Sequence, residues 1–162
     1  MAGVTIRRGT PDDFTEAQRL NHAHFEYEHA IGCHPQDSFN LNWTYEPGGV
    51  EALQKWLSGT PGIAAWFAEV DGRLVGYLMA VAATLDYRTA NPMVELRVMF
   101  IEEPYRRQGI GTQLMTVFKD WAREQGAKRL KVGSYTPNHQ AIAFYRRHGF
   151  KDFELYLEQS FE

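Results

Sequence analysis

The sequence predicts one α/β (α+β) domain with a mixed central sheet, in which antiparallel strands come first and a parallel strand pair follows. Asp71-Gly72 lies between two apolar runs, 63–70 and 73–80, and Asp-Gly suits the type I′ turn of a β-hairpin. The second half alternates strand, helix, strand, helix, strand, which favours parallel pairing through right-handed crossovers. The chain has 162 residues, a length typical of one domain, here residues 1–162.

The first half of the chain contains a short strand and two helices before the hairpin. Residues 4–7 are predicted to form the strand. Thr10 is a typical helix N-cap, because Pro and two acidic residues follow it. The helix that follows carries an apolar stripe between residues 14 and 31, and His24 falls in that stripe. Residues 33–46 are predicted to be a loop, and residues 50–57 a short second helix.

The second half supplies the elements of the predicted crossovers. A glycine-rich turn follows the fourth strand and leads into an amphipathic helix that ends at Gly126. The remaining predictions are a fourth strand at 94–101, a fifth at 129–132, a fourth helix at 138–147 and a last strand at 153–157.

Composition indicates which classes of binding partner and which cellular compartment to expect. The net charge is −3 and the pI is about 6.1, so the chain lacks the basic excess of a general nucleic-acid binder. Cys33 is the single cysteine, which rules out a disulfide within the chain. The N-terminus lacks the apolar core of a signal peptide, and the apolar region at 74–85 is too short to cross a bilayer. We therefore expect a cytoplasmic protein with no nucleic-acid or membrane partner.

The most informative stretch is the glycine-rich turn at residues 104–114, between an apolar strand and a patterned helix. The first N–H groups of a helix have no intrahelical partner and lie at the positive end of the macrodipole. Gly109 and Gly111 lack side chains, so a phosphate can approach these groups closely. Arg106 and Arg107 add positive charge at the start of the same helix. The turn indicates a phosphate site, and the alternative is an ordinary loop with two glycines.

Two motifs in the second half resemble those of the GNAT superfamily of N-acetyltransferases. The first follows the strand at 95–101 and has the family's acetyl-CoA pattern, Arg/Gln-x-x-Gly-x-Gly/Ala. Its matching positions are Arg106, Gly109 and Gly111. The second, at 138–150, is similar to the family's Asn-x-x-Ala-x-x-Phe-Tyr-x-x-x-Gly-Phe block. The resemblance is close over 94–150 and rests on element order elsewhere. Glu103 stands where members often have Pro, which we expect to alter the stiffness of the loop rather than binding.

The resemblance implies a GNAT-type domain in which the strands on either side of the phosphate loop and its helix splay apart. It also implies acetyl-CoA as the acetyl donor. The diphosphate would bind to N–H groups of the loop. The pantetheine arm would bond to the exposed edge of the strand before the loop, as an added strand does. Asn138 would bond the arm from the opposite side. The implied cofactor-binding residues are Met99, Phe100, Ile101, Arg106, Arg107, Gln108, Gly109, Ile110, Gly111, Thr112, Asn138, Ala141, Phe144 and Tyr145.

The implied chemistry is acyl transfer from sulfur to nitrogen, with the oxyanion held by a backbone N–H near Met99. Tyr145 matches the family's general acid for the leaving thiolate, since a phenol and a thiol have reference pKa values of about 10 and 8.5. The alternative for Tyr145 is a core aromatic on an amphipathic helix. Glu95 is the candidate general base for the amine. One alternative is that Glu95 forms an ion pair with Arg97. Another is that ordered water accepts the amine proton.

Four histidines lie on the first helix and at its exit: His22, His24, His29 and His34. A zinc site is one interpretation, but His22 and His24 project from different helix faces, and we predict no metal. The alternative is that this region forms a wall of the acceptor pocket, as the corresponding region does in the GNAT superfamily. We expect His24 to face that pocket. Other residues that could line it are Tyr27, Phe39, Trp43 and Tyr45.

The predicted function is an N-acetyltransferase that moves an acetyl group from acetyl-CoA to a primary amine, with a small-molecule acceptor favoured. The first alternative is acetylation of a protein N-terminus or lysine. The second is a non-catalytic acetyl-CoA-binding sensor, although the complete second motif argues against it. The third, a nucleotide- or dinucleotide-binding enzyme, lacks support because the Gly-x-Gly-x-x-Gly and Gly-Lys-Ser/Thr patterns are missing. A homodimer is a further possibility, as members of this superfamily frequently dimerise.

Overall fold

Five strands form one sheet in the order β1-β2-β3-β4-β5, in a computed structural model that describes residues 3–33 and 40–161. The strands are β1 (Val4–Arg8), β2 (Ile63–Val70), β3 (Arg73–Ala83), β4 (Met93–Ile101) and β5 (Arg129–Val132). The helices are α1 (Phe14–Ala30), α2 (Pro47–Leu57), α3 (Ile110–Glu124) and α4 (His139–Arg147). Short 3-10 turns cover Pro11–Asp13, Trp43–Tyr45 and Glu103–Tyr105.

The mixed character of the sheet is confirmed. Strands β1 to β4 pair antiparallel, and β4 pairs parallel with β5 through the crossover that contains α3. The β2–β3 hairpin turns at Asp71 (φ 50°) and Gly72 (φ 78°). Both residues have the left-handed backbone that a type I′ turn requires, which is why Asp-Gly marks this position. Helix α2 begins at Pro47, three residues earlier than predicted, because Pro suits the first helical position.

Helices cover the two faces of the sheet separately. Helices α1 and α2 pack on one face, where Phe67, Tyr77 and Phe100 form the centre of a buried cluster. Helix α3 packs on the other face, around Phe118 and Leu114, and Tyr145 of α4 belongs to the same cluster. Alternate residues of β2, β3 and β4 therefore contribute to two separate cores.

Strand β4 contains a bulge at the point where its pairing with β5 ends. Met79 pairs with Val98 and the next residue of β3 pairs with Leu96, so Arg97 is the extra residue on β4. Strand β5 pairs only with residues 93–96 of β4. Beyond them, no strand in the described parts of the chain pairs with β4 on that side. The splayed pair implied by the family resemblance is thus present as a gap beside residues 97–101.

The predicted last strand at 153–157 is wrong, since residues 151–161 form no helix or strand and are exposed. The segment meets β5 through side chains instead of a backbone ladder. Phe153 lies under the guanidinium of Arg129 at 4.9 Å, and Glu154 pairs with Lys131 at 3.0 Å. Its alternating pattern suits a strand, but a strand also needs a neighbour that accepts its backbone hydrogen bonds. No described helix is long and apolar enough to cross a membrane.

Candidate functional site

The loop before α3 presents a row of backbone N–H groups. Arg107 (φ 63°) and Gly109 (φ 80°) both have left-handed backbone, and Gly109 is the N-cap of the 15-residue helix α3. The first loop amide with a partner inside the helix is that of Gln113, which donates to the Gly109 carbonyl at 3.1 Å. Within the described residues, no acceptor pairs with the N–H groups of residues 107–112. Together with the positive end of α3, they form a cradle suited to phosphate oxygens.

The two glycines of the loop are required for different reasons. A Cβ at Gly109 would meet nothing within 4 Å, so this position needs glycine for its backbone conformation. A Cβ at Gly111 would lie 3.1 Å from the ring of Phe144, so this glycine lets α4 approach α3 closely. Gly111 therefore has a packing role beside the predicted role in phosphate approach.

Arg106 fixes the inner side of the loop. Its Nε donates to the Ile101 carbonyl at 2.7 Å, and its guanidinium lies 4.1 Å from the ring centroid of Tyr27. Arg107 next to it is exposed at the mouth, where its charge faces solvent and an incoming anion. Gln108, also exposed, donates from its side chain to the Pro104 carbonyl at 2.9 Å. The loop is thus held at both ends by side-chain to backbone bonds.

The edge of β4 beyond the bulge offers main-chain groups to the gap. The Glu102 N–H donates to Val75 of β3, so by strand alternation the main chain of Phe100 also faces β3. The N–H and C=O groups of Met99 and Ile101 consequently point into the gap. Arg106 already occupies the Ile101 carbonyl. The Met99 amide and carbonyl and the Ile101 amide fit the predicted bonding to an extended ligand.

Tyr145 lies on the α4 side of this gap, with 7% of its surface exposed. The rings of Phe144 and Phe150 meet it edge-on at 5.7 and 5.9 Å. Burial raises the pKa of Tyr145, and the negative charge of Glu28 raises it further. The phenol therefore stays protonated at neutral pH, which is the form that a proton donor needs. It is at once a core aromatic and a candidate acid.

Asn138, predicted to bond the pantetheine arm, begins α4. Its side-chain oxygen accepts a hydrogen bond from the Ala141 N–H at 3.2 Å, so it is the N-cap of this helix. The Asn of the Asn-x-x-Ala pattern is therefore accounted for by the start of α4. A role in holding a ligand stays a prediction.

Glu95 lies on β4 before the bulge. The neighbours Val94 and Leu96 belong to the cluster under α3, so Glu95 points to the opposite face, the side of α1 and α2. Its carboxylate is 3.3 Å from the Arg97 guanidinium, the ion pair considered above. Lys131 of β5 is its partner across the parallel ladder. Two cationic side chains thus border this carboxylate.

The predicted acceptor residues separate into two groups around α1. His24 stacks on Phe100 at 5.2 Å, and Tyr27 contacts the same ring at 6.1 Å, so both reach β4 beyond the bulge. Trp43 and Tyr45 contact side chains on nearly the opposite side of the helix. The two contacts are Trp43 with Phe25 at 6.1 Å and Tyr45 with His22 at 5.2 Å.

Two of the sequence predictions about this region lie outside the described residues: those for His34 and Phe39. Among the residues that are described, no group of three or more His, Cys, Asp or Glu side chains is placed to hold a metal ion.

Sequence reasoning missed a buried polar chain that ends at Glu28. It runs through five side chains: Thr44, Asn21, Tyr77, His24 and Glu28. The available signal was the spacing of His24 and Glu28, four residues apart on one helix face. Asn21 and Tyr77 are 56 residues apart, and no local pattern connects them.

Comparisons with known proteins agree with this geometry. The model of the acetyltransferase (GNAT) family matches residues 23–150. An uncharacterised N-acetyltransferase of Methanocaldococcus jannaschii is 27% identical over 62% of this chain and 45% of its own length. The aminoglycoside N(6′)-acetyltransferase type 1 of Stenotrophomonas maltophilia is 25% identical over 69% of this chain and 74% of its own. The chain spans about half the length of the curated relatives that it matches first, from 40% to 57%.

Among solved structures, an aminoglycoside N-acetyltransferase in complex with CoA superposes with a TM-score of 0.73 at 17% identity, over 99% of this chain and 95% of that one. At this identity the likeness shows the fold alone. The family model, in contrast, covers the phosphate-type loop, the splayed strands and α4 in one match. The chain belongs to the GNAT family of acetyltransferases.

Proposed function

We propose that this protein transfers the acetyl group of acetyl-CoA to a primary amine, and that the amine is a small molecule. One observation carries the proposal. The N–H groups of residues 107–112 meet no acceptor in the described part of the chain, and the start of α3 packs through Gly111 against Phe144, the neighbour of the buried, protonated Tyr145. A site that grips a diphosphate beside a proton donor suits a thioester whose sulfur must leave as a thiol.

The residues present fit acetyl-CoA. The N–H groups of residues 107–112 would hold the diphosphate, and the Arg107 side chain would add a charge-assisted contact. The open main-chain groups of Met99 and Ile101 would bond to the amides of the pantetheine arm, as in β-augmentation. When bound, the donor supplies an activated carbonyl carbon. The remaining predicted cofactor contacts, Phe144 and Ala141 among them, follow from the position of α4 beside α3.

Tyr145 would protonate the leaving sulfur. Burial raises its pKa, so the phenol is protonated at neutral pH, and the apolar rings around it exclude water as a competing donor. A backbone N–H at Met99 would face the carbonyl oxygen as negative charge develops there. The Tyr145 phenol would approach from the α4 side of the gap, and the Met99 N–H from its β4 edge.

The acceptor would arrive from the other face, along α1. The gap beside residues 97–101 removes the strand that would otherwise separate the two faces. Glu95 is the carboxylate that the sequence nominates to take the amine proton, and it lies on this acceptor face. One relative named above supports a small acceptor, since it is an aminoglycoside acetyltransferase.

Turnover of acetyl-CoA over a panel of amines tests the proposal. The panel contains an aminoglycoside, a diamine, an amino acid and a peptide, with free thiol measured by a chromogenic disulfide and acetylated product by mass. We expect thiol release that depends on a small amine and matches the product formed. Tight acetyl-CoA binding without turnover of any amine would indicate a non-catalytic binding module instead. Acetylation of the peptide alone would contradict the small-molecule part.

The proposed partners are thus acetyl-CoA and an amine. A homodimer stays a prediction, which light scattering coupled to size exclusion would test.

A further inference from the structure

The buried polar chain on α1 has a defined hydrogen-bond direction. The Asn21 amide donates to the Tyr77 hydroxyl at 2.9 Å, so the phenolic proton is free to go to the next group. That group is Nδ1 of His24, 3.2 Å away. Burial raises the pKa of Tyr77, which keeps that proton on the phenol. Tyr77 is therefore the donor and Nδ1 the acceptor.

This direction fixes the tautomer of His24. Since Nδ1 accepts, the neutral ring carries its proton on Nε2. Nε2 lies 3.1 Å from a carboxylate oxygen of Glu28, one helical turn along α1. The imidazole thus donates to Glu28, and this bond orients the carboxylate. Glu28 has only 12% of its side chain exposed, and His24 has 11%.

Glu28 is placed at the gap in the sheet. His24 stacks on the ring of Phe100. Phe100 lies between Met99 and Ile101, whose main-chain groups face the gap. Burial raises the pKa of Tyr145 across the gap, and the charge of Glu28 raises it further, so the Glu28 carboxylate faces Tyr145 from the α1 side. A carboxylate on the α1 side and a phenol on the α4 side therefore flank the place where residues 97–101 lack a partner strand. A base near the attacking amine and an acid near the leaving sulfur would each assist direct attack on a thioester.

We propose that Glu28 accepts the proton of the acceptor amine, and that His24 is a positioning residue that aims the Glu28 carboxylate into the gap. The inference rests on the proposed function, because it assigns a role within the acetyl transfer.

The proton balance closes with Glu28 and Tyr145. The amine nitrogen forms a bond to the carbonyl carbon and the carbon–sulfur bond breaks. One N–H proton passes to the Glu28 carboxylate, and the departing thiolate takes the proton of Tyr145. Return of a proton from Glu28 to the Tyr145 phenolate, through water in the emptied gap, restores both groups. The net products are an amide and a free thiol.

The position of Glu28 suits this role better than that of Glu95. Glu95 lies where β5 still pairs with β4, and it is bordered by the cations of Arg97 and Lys131. Its carboxylate therefore lies beside a paired strand and not beside the gap. In the described part of the chain, the charge of Glu28 reaches His24 on its own helix, Cys33 after it, Tyr77 on β3, Tyr145 on α4 and Tyr135 before α4.

The isosteric variant Glu28→Gln tests the inference with the full chain. We expect kcat/KM for the best amine of the panel to fall by about 100-fold or more, the range for loss of a general base. The acid limb of the wild-type kcat profile, where Glu28 gains a proton, should disappear in this variant. Acetyl-CoA affinity, measured by calorimetry, should change by less than about twofold, since Glu28 lies outside the phosphate loop.

Glu26→Gln is the matched control. Glu26 forms the same pair with His22, four residues apart on the same helix, but at 3.3 Å and with 61% of its side chain exposed. We expect its rate and pH profile to equal those of the wild type. Glu95→Gln forms the competing arm. If it removes the acid limb while Glu28→Gln retains it, the inference is overturned.

A purely structural role is separated by chemical rescue. In Glu28→Ala, added formate should restore part of the rate as its concentration rises, because it supplies a carboxylate to the vacated space. A folded variant with a slow rate and no response to formate would count against proton transfer by Glu28. If wild-type protein turns over no amine at all, the proposed function fails. If it is active and Glu28→Gln is equally active with the same pH profile, only this inference fails.

Discussion

At the mouth of α3 and on α4, single residues determine what the site can bind and which protons it can move. Gly109 sets the backbone that directs a row of N–H groups outward, and Arg106 holds the inner end of that loop through the Ile101 carbonyl. Tyr145 keeps its proton because its surroundings are apolar and a carboxylate lies nearby. Binding and proton transfer are therefore separable by substitution.

Replacing Tyr145 with Phe removes the hydroxyl and leaves the ring in its aromatic cluster. We expect turnover to fall by about tenfold to ten-thousandfold, the range for loss of a general acid, while the Kd for acetyl-CoA stays nearly unchanged. Thiol release and calorimetry measure the two quantities. Tyr156→Phe, at a tail residue that is 78% exposed, is the control. An unaffected rate in Tyr145→Phe would remove Tyr145 from the chemistry.

Replacing Gly109 with Val tests the phosphate cradle. Valine is strained at a φ of 80°, so the loop must rearrange and its N–H groups lose their common direction. We expect the Kd for acetyl-CoA to rise by more than about tenfold, which corresponds to about 1.4 kcal/mol. Isothermal calorimetry of the folded variant measures it.

Gly126→Val is the matched control for that change. Gly126 follows the other end of α3 with a φ of 72°, and a Cβ there also meets nothing within 4 Å. The backbone strain is therefore similar, about 1–2 kcal/mol of stability, but the position is remote from the loop. If both variants bind acetyl-CoA equally well, or equally poorly, the loop does not hold the phosphates.

Among elements, those with local signals were predictable from the sequence and those that depend on distant partners were not. The β2–β3 hairpin follows from Asp71-Gly72, and the start of α3 follows from Gly109, because each signal acts on its own backbone. The strand expected at 153–157 failed, since its alternating pattern cannot tell whether a neighbour offers a ladder. The chain from Asn21 through Tyr77 to Glu28 joins α1 to β3, and only the fold brings these partners together.

The junction between the 3-10 turn at Trp43–Tyr45 and α2 is a sensitive contact between elements. A Cβ at Gly49 would lie 2.0 Å from the Trp43 carbonyl oxygen and 2.8 Å from the Thr44 Cα, both backbone atoms. Gly49→Ala must therefore separate the turn from α2, and we expect a loss of about 1–3 kcal/mol in the free energy of unfolding. Urea denaturation measures the change.

Gly48→Ala is the companion variant on the same helix. The nearest atom to a Cβ at Gly48 is the Trp43 side-chain nitrogen at 3.4 Å, an ordinary contact. We expect the stability of this variant to equal or slightly exceed that of the wild type, because alanine is the better helix former. Equal stability of Gly49→Ala and the wild type would show that the turn is not held against α2.

At the scale of the whole molecule, the sheet separates two sets of functional groups and the bulge in β4 reconnects them. Helix α3 and the loop before it lie on one face, and α1 with its polar chain lies on the other. Because β5 leaves β4 after Leu96, an amine beside α1 and a thioester beside α4 can meet without a strand between them.

The position of α1 depends in turn on an ion-pair network at its start. The Arg7 guanidinium of β1 donates to Asp13 at 2.8 and 3.0 Å, and to Glu69 of β2 at 2.9 Å. Asp13 also accepts from the Thr10 N–H at 2.8 Å, and only 10% of its side chain is exposed. These hydrogen bonds, those from Arg7 foremost, lower the pKa of Asp13. The network therefore links two strands to the turn that precedes α1.

The lowered pKa of Asp13 predicts the pH dependence of stability. A carboxylate with a depressed folded-state pKa stabilises the fold above its unfolded-state value, about 4, and the contribution disappears as pH falls through the folded-state value. We expect Asp13→Asn to lose about 2 kcal/mol of unfolding free energy at pH 7, the scale of a charged hydrogen bond. Relative to wild type, that deficit should shrink steadily below about pH 4. Urea denaturation from pH 7 to pH 3 measures the deficit, and Asp12→Asn, at an exposed residue, is the control. A deficit that stays constant over this range would show that the Asp13 charge does not stabilise the start of α1.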